Sequence, residues 1–404
     1  MAAAMAAFRS RSARIPDPRS LFSTISSPSP SEKTAPPISF RALKSSIRSE
    51  RDPEKVAQIF QSSSDWPRVR RDRSVFDLTI RKLASFRRSD LIDRVLTHQK
   101  SFAAAPGSVS EGFMIRIMKL YSDAGMVDEA VRTFDEMEKV GCDRTDKSLC
   151  ALLGTFSSNR LFDRVHVAFA NIPEKINVSP SVNAYNIVIR AFVEEKLLDS
   201  ARSLVEKMEK EKGVKPNVLS YNILLGGYLD AGDETEFNEI LKLISVKGLE
   251  PDATTYKYRI LSHCKKNESF KAKELIEVMI SKGIKPTLAS YNAVIGGFCQ
   301  EGEVMLAKSI FESMRSDVSP NSVTYVTLVR YLVEKGEFDA ALEMCKESLK
   351  RKWSPTFDVM VSLVNGLVKM SKVDEAKGIV ENMKKMLTGQ AVDSWKKIEV
   401  TLPL

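Results

Sequence analysis

The apolar positions of this chain fall into short helical stripes, and the stripes come in pairs. Tyr221, Leu224, Leu225 and Tyr228 stand at i, i+3, i+4 and i+7, and beyond Gly232 the residues Phe237, Ile240, Leu241 and Ile244 repeat the pattern. Each set lies on one face of a 3.6-residue helix. The pair closes at Gly248 and Pro251, and the next closes at Gly283 and Pro286; glycine and proline in that order stop a helix and turn the chain. The predicted unit is helix, tight turn, helix, loop.

That unit recurs along the chain. Ser220-Tyr-Asn-Ile-Leu-Leu-Gly-Gly-Tyr228 returns as Ser290-Tyr-Asn-Ala-Val-Ile-Gly-Gly-Phe298, with weaker copies at Ala184-Tyr-Asn and Thr324-Tyr. With the Tyr as marker, the equivalents are Phe40, Phe76, Met114, Leu149, Tyr185, Tyr221, Tyr256, Tyr291, Tyr325 and Met360, in steps of 34 to 38 residues. Sixteen residues after the marker stands Ala130, Ala201, Ala272, Ala307, Ala341 or Ala376, and twenty-three after it Met137, Met208, Met279, Met314 or Met383. The alanines mark close helix approaches, and the methionines fill the core. One hairpin cannot cover its own apolar faces, but a stack can. The expected fold is an all-α superhelical solenoid of about ten helix-turn-helix repeats of 35 residues over 36–390, with a C-terminal tail at 391–404.

The Tyr-Asn start, the 35-residue mode and the Gly-x-x-Pro-Asp/Asn close, as in Gly248-Leu-Glu-Pro251-Asp252, resemble the pentatricopeptide repeat rather than the tetratricopeptide repeat with its W-L-G-Y start. The near-constant step is similar to the P-class of that family, in its plant mitochondrial type. The resemblance implies an organelle RNA-binding protein in which a repeat addresses a base through the residue after the marker and the last residue of the repeat. Short amides and carboxylates there suit a Watson–Crick edge. On that basis Asn222 with Asp252 favours uracil, and Asn186 with Asn217 and Asn292 with Asn321 favour a pyrimidine. Lys257 with Thr287 matches no base preference, and Ile115 with Thr145, Cys150 with Ser181 and Val326 with Thr356 lack a hydrogen-bonding pair. At most four consecutive repeats read a base.

Charge changes the picture at the front of the chain. The 404 residues carry a net charge of +9, with +3 from residues 1–31, +7 from 41–104 and −1 from 105–404. Residues 1–31 combine Arg9, Arg11, Arg14 and Arg19 with eight serines and Asp17 as the only acid, the composition of a mitochondrial transit peptide. The second basic stretch puts Arg68, Arg70, Arg71, Arg73, Arg81, Lys82, Arg87 and Arg88 into 21 residues. A charge run is commonly a solvated face; here the neutral remainder and the resemblance favour contact with a phosphate backbone.

Other chemistry is excluded by spacing. Cys142, Cys150, Cys264, Cys299 and Cys345 contain no C-x-x-C pair and read as small hydrophobes in a reduced compartment. His98, His166 and His263 lie in no metal or deaminase pattern, and no phosphate-cradling glycine loop or nucleophile motif occurs. No uncharged apolar run is long enough to span a membrane. The expectation is a non-enzyme without cofactor or metal, located in the mitochondrial matrix. Its expected partners are RNA, either mitochondrial rRNA or mRNA, and mitochondrial ribosomal proteins, with the chain a monomer within a larger particle. The short, code-poor form is similar to ribosome-associated pentatricopeptide proteins; a transcript-specific RNA factor and a protein–protein scaffold are the alternatives.

Overall fold

A computed structural model of the chain describes residues 39–64, 66, 69, 72–102, 109–210, 213–387 and 390–401, which are helical apart from turns and short loops. The proposed transit segment, 1–31, lies outside them. The chain divides into two compact units, Met1–Thr79 and Ile80–Leu404.

In the first unit α1 (Phe40–Ser49) and α2 (Pro53–Ser63) precede α3 (Arg73–Ser85), which runs across the division. Leu43, Ile47, Val56, Phe60 and Phe76 are buried, and the Phe60 and Phe76 rings meet edge to face at 4.9 Å. The sequence frame is corrected here. The Ser39 side chain accepts from Ala42 N, so the helix begins at Phe40 and its fourth residue, the marker position of the later repeats, is Leu43. Leu43 is buried where Phe40 is only half-buried.

In the second unit α4 (Ser89–Ser101) is followed by eight hairpins: α5 (Glu111–Asp123) and α6 (Val127–Lys139), α7 (Asp146–Ser158) and α8 (Phe162–Lys175), α9 (Val182–Glu194) and α10 (Leu198–Lys210), α11 (Val218–Ala231) and α12 (Glu234–Val246), α13 (Ala253–Lys265) and α14 (Ser269–Ser281), α15 (Leu288–Glu301) and α16 (Val304–Met314), α17 (Ser322–Glu334) and α18 (Phe338–Lys350), and α19 (Phe357–Lys369) and α20 (Val373–Met386). The final helix, α21 (Gln390–Thr401), covers the last hairpin. Its Trp395 is buried and meets Phe357 at 5.2 Å, so the segment read as a tail adds to the core. From hairpin to hairpin, first helix packs on first helix, while second helices touch their partner and the next first helix. The first helices therefore line the tighter, inner face of an α-solenoid.

The columns read from the sequence are the core. All six alanines and all five methionines are buried. The methionine carbonyls also stop helices: Cys142 N donates to Met137 O and Ile284 N to Met279 O, both at 2.8 Å, closing a Schellman-type turn. The left-handed residue in that turn is Gly141 or Gly283, but Asn177 and Lys352 take the same conformation, so glycine is not required at every close. Six residues after the marker, Gly227 faces Leu198 and Val193 of the preceding hairpin and Gly366 faces the Phe338 ring, with no room for a Cβ. One residue earlier, a Cβ on Gly154 or Gly296 would meet nothing. A mid-helix glycine costs roughly 1 kcal/mol relative to alanine, and packing accounts for the first pair only.

All five cysteines are free, and four are buried. Burial pushes the Cys264 thiol up to about 11 and those of Cys299 and Cys345 up to about 12; at Cys150 burial and then the Asp146 carboxylate do the same, to about 12. Since the thiolate is the reacting form, iodoacetamide at pH 8 should modify Cys264 on the order of a hundredfold, and Cys150, Cys299 and Cys345 on the order of a thousandfold, more slowly in the folded protein than in urea. Equal rates by mass spectrometry would contradict the placement of these helices.

Candidate nucleic-acid interface

Each first helix of the second unit opens on a residue four before the marker, and that residue is Ser110, Thr145, Ser181, Asn217, Asp252, Thr287, Asn321 or Thr356. Small polar residues belong there because their side-chain oxygens accept from helix N–H groups that have no other partner. Asp252 accepts from Thr254 N and Thr255 N, both at 2.9 Å. Asn217 accepts from Ser220 N, and Asn321 from Thr324 N. The residue assigned to base reading at the end of each repeat is thus also the cap of the next helix.

The second reading position is joined to it. Asn222 Nδ2 donates to Asp252 Oδ1 at 2.9 Å, and the Thr255 hydroxyl donates to Asn222 Oδ1 at 2.8 Å. The same triangle recurs twice. Asn186 Nδ2 donates to Asn217 at 3.4 Å and accepts from Ser220 Oγ at 2.7 Å; Asn292 Nδ2 donates to Asn321 at 3.4 Å and accepts from Thr324 Oγ1 at 2.7 Å. Asn186 and Asn222 are 4% and 2% exposed, which leaves only an edge of each amide facing outward. The three proposed reading pairs are therefore brought together, as clamps between successive hairpins.

The third member of each clamp, the Ser or Thr just before the marker, carried no role in the sequence reading. Its signal was present: Ser148, Ser220, Thr255, Ser290 and Thr324 recur as buried polar residues beside the marker. Where the asparagine is missing the clamp changes. Glu111 takes it over in one hairpin, its carboxylate accepting from Thr145 N, Thr145 Oγ1 and Ser148 N at 2.8–3.1 Å. Burial raises that carboxyl, and these donors more than offset it, leaving it below its ordinary range. At Lys257 the link is absent among the described residues, and the ammonium instead lies 4.2 Å from the Tyr258 ring centre.

Arg68, Arg70 and Arg71 lie outside the described residues. Arg73 and Arg81 are exposed on α3, Lys82 is half-buried beside Arg81, and Arg87 is exposed in a left-handed turn. Arg88 is already engaged: its Nε and Nη2 donate to the Asp90 carboxylate at 2.8 and 2.6 Å, and that contact holds Asp90 down at about 2.

Capped hairpins stacked at a constant step, with polar side chains in register along the first helices, define a helical-repeat protein of the α-solenoid class. Sequence profiles place it within that class. Those for the PPR repeat family match residues 180–230 and 286–332, for the pentatricopeptide repeat domain 212–267 and 239–301, and for the PPR repeat 116–142, 323–352 and 359–386. A mitochondrial pentatricopeptide repeat-containing protein of Arabidopsis thaliana is 38% identical over 366 residues, 89% of this chain and 88% of its own length. The chain belongs to the pentatricopeptide repeat family.

Two further Arabidopsis thaliana relatives carry ribosomal names. Small ribosomal subunit protein mL103 (rPPR7) is 30% identical over 91% of this chain and 89% of its own length. Small ribosomal subunit protein mS78 (rPPR3a) is 32% identical over 41% of this chain, and the match spans 40% of that protein. Among solved structures, the pentatricopeptide repeat protein PPR10 in complex with an 18-nt psaJ RNA element superposes with a TM-score of 0.53 at 20% identity, over 89% of this chain and 51% of that one. That likeness is one of fold.

Proposed function

We propose that the chain is a non-catalytic RNA-binding protein of mitochondrial gene expression, held on the mitochondrial ribosome as a small-subunit type component. In this reading it takes RNA by backbone and shape. The observation that carries the second point is the clamp: Asn186, Asn222 and Asn292 spend both amide ends on neighbouring hairpins. A base would have to compete with bonds already made. The ribosomal setting is supported by the likeness to mL103, which extends over most of both chains. Residues 1–31 would supply the mitochondrial address, and the matrix would be the destination.

A second reading has its own support. The Arabidopsis thaliana relative that is 38% identical over most of both chains is named as a mitochondrial pentatricopeptide repeat-containing protein, with no ribosomal name, and a transcript-specific factor would fit it equally. Sedimentation separates the two. Tagged protein in a mitochondrial extract should travel with the small ribosomal subunit at 0.1 M salt and stay with it after ribonuclease trimming of unprotected mRNA. Migration at the top of the gradient, or release by the nuclease, would overturn the ribosomal reading.

A further inference from the structure

The second helices carry a column of their own, and its exceptions mark a surface. Fourteen residues after the marker, at the second position of each second helix, stand Asp128, Asp163, Asp199, Asp339 and Asp374 in five hairpins, and Thr235, Phe270 and Met305 in the three between them. An aspartate there meets the positive end of its helix, and Asp128 and Asp339 also pair with Arg164 and Lys372 of the following hairpin. Phe270 and Met305 forgo both contributions. They are 57% and 70% exposed, so burial returns little in exchange. Phe270 still meets the buried Phe298 ring edge to face at 5.2 Å, and Met305 is more open again.

The charges beside these two residues are unequally engaged. Elsewhere second helices are tied to their neighbours, as at Arg202 with Glu236 and Lys308 with Glu343. Between α14 and α16 no such pair forms among the described residues: Lys273 turns to Glu277 of its own helix, and Ser309 stands where Glu343 stands one hairpin later. The adjoining cations are occupied, Lys271 by Glu268 and Lys308 by Glu343. Glu274, one turn beyond Phe270, and Glu303, two residues before Met305, are exposed and in no ion pair among the described residues. The face therefore leaves apolar area and negative charge unsatisfied together.

We propose that Phe270 and Met305 dock a cationic amphipathic segment of a partner protein, its apolar side chains seated on these two residues and its lysines or arginines turned to Glu274 and Glu303. Equivalent positions of successive hairpins lie about 10 Å apart, a span that one docked helix or strand covers. Apolar residues exposed in neighbouring units make a patch where scattered ones do not, and a thioether adapts to the shape of what lies on it. The two carboxylates repel a polyanion, so the occupant is protein, and the inference does not rest on the RNA-binding reading.

The test uses the full chain and a fluorescein-labelled peptide of about 18 residues, five helical turns, built of leucine and lysine in amphipathic register; glutamate replaces lysine in the control peptide. The wild type should bind the lysine peptide and not the glutamate one. Met305→Asp restores the residue of the other hairpins and should melt no lower than the wild type. It adds negative charge, so a purely electrostatic contact would strengthen, whereas docking on an apolar side chain should weaken by about tenfold. Phe270→Asp added to it should weaken the peptide further. Glu274→Gln with Glu303→Gln should weaken it about fivefold and flatten its salt dependence, and Asp163→Asn with Asp199→Asn, in the same column of other hairpins, should change nothing. The Met305→Asp chain should bind a uridine strand as the wild type does. No binding of the lysine peptide by the wild type, or undiminished binding by Met305→Asp, would overturn the proposal. So would displacement of the peptide by the uridine strand, or a dimer of this chain that Met305→Asp dissolves.

Discussion

Leu225→Asp should unfold the centre of the array, and Lys247→Asp should not. Leu225 lies on α11 with no exposed surface, in the cluster formed with Tyr221, Leu224, Tyr228, Phe237 and Ile240. An aspartate there leaves a cavity and an unpaired carboxylate away from water, which together cost several kcal/mol. Lys247 stands just past the end of α12, where it has an acidic neighbour. Its ammonium donates to both Glu209 oxygens at 2.8 and 2.7 Å, and that contact raises its pKa. Aspartate at 247 trades this attraction for repulsion in a partly solvated place, at about 1 kcal/mol or less. Urea unfolding followed by far-ultraviolet circular dichroism would separate the two; coincident curves would mean that the helix register is wrong.

The repeat frame was legible because packing writes itself at a fixed period. A residue that must be small where helices cross, or flexible where a gap needs filling, returns every 35 positions, and the alanine and methionine columns lie where that argument puts them. The first repeat misled because its aromatic residue, Phe40, falls three positions before the buried one. Only the Ser39 cap, a local hydrogen bond, shows that Leu43 takes the marker's place. The adjacent glycines were equally ambiguous. Gly226 and Gly227 look alike in sequence, yet one receives Tyr258 from the following hairpin and the other packs on Leu198 and Val193 of the preceding one. Such roles are set by neighbours about thirty residues away in either direction.

The clamps show the same limit at the candidate site. Asn222, Asp252 and Thr255 could each be picked out by column, but a column states what recurs and leaves open what touches what. Asp252 was assigned to a base edge and also caps α13, and Thr255 was passed over. Polar groups buried between repeats must find partners within the protein, so the residues suited to reading a base are also those suited to locking one hairpin onto the next.

Neutralising the front of the chain should therefore harm RNA binding far more than removing the asparagines. Changing Arg70, Arg71, Arg81, Lys82, Arg87 and Arg88 to glutamine removes up to six phosphate contacts, and at about 0.7 per contact the salt slope falls by up to about 4. The loss should stop slightly short of that, because Arg88 already spends its guanidinium on Asp90. The variant should leave ribosomal particles at salt that retains the wild type, whereas a variant with Lys139, Lys207 and Lys350, exposed on second helices, changed to glutamine should stay. Asn222→Ala with Asn292→Ala breaks two clamps and should lower stability by about 1–3 kcal/mol in all, since Thr255 and Thr324 keep bonds to Asp252 and Asn321. On a uridine strand it should change affinity less than about tenfold and leave the salt slope intact. A transcript-specific reader reverses this order: each lost base contact then costs on the order of 1–3 kcal/mol and preference for pyrimidines relaxes. Binding to pyrimidine-rich and purine-rich strands at two salt concentrations decides between them, and a wild-type preference above about a hundredfold for the pyrimidine strand would defeat the backbone-and-shape reading.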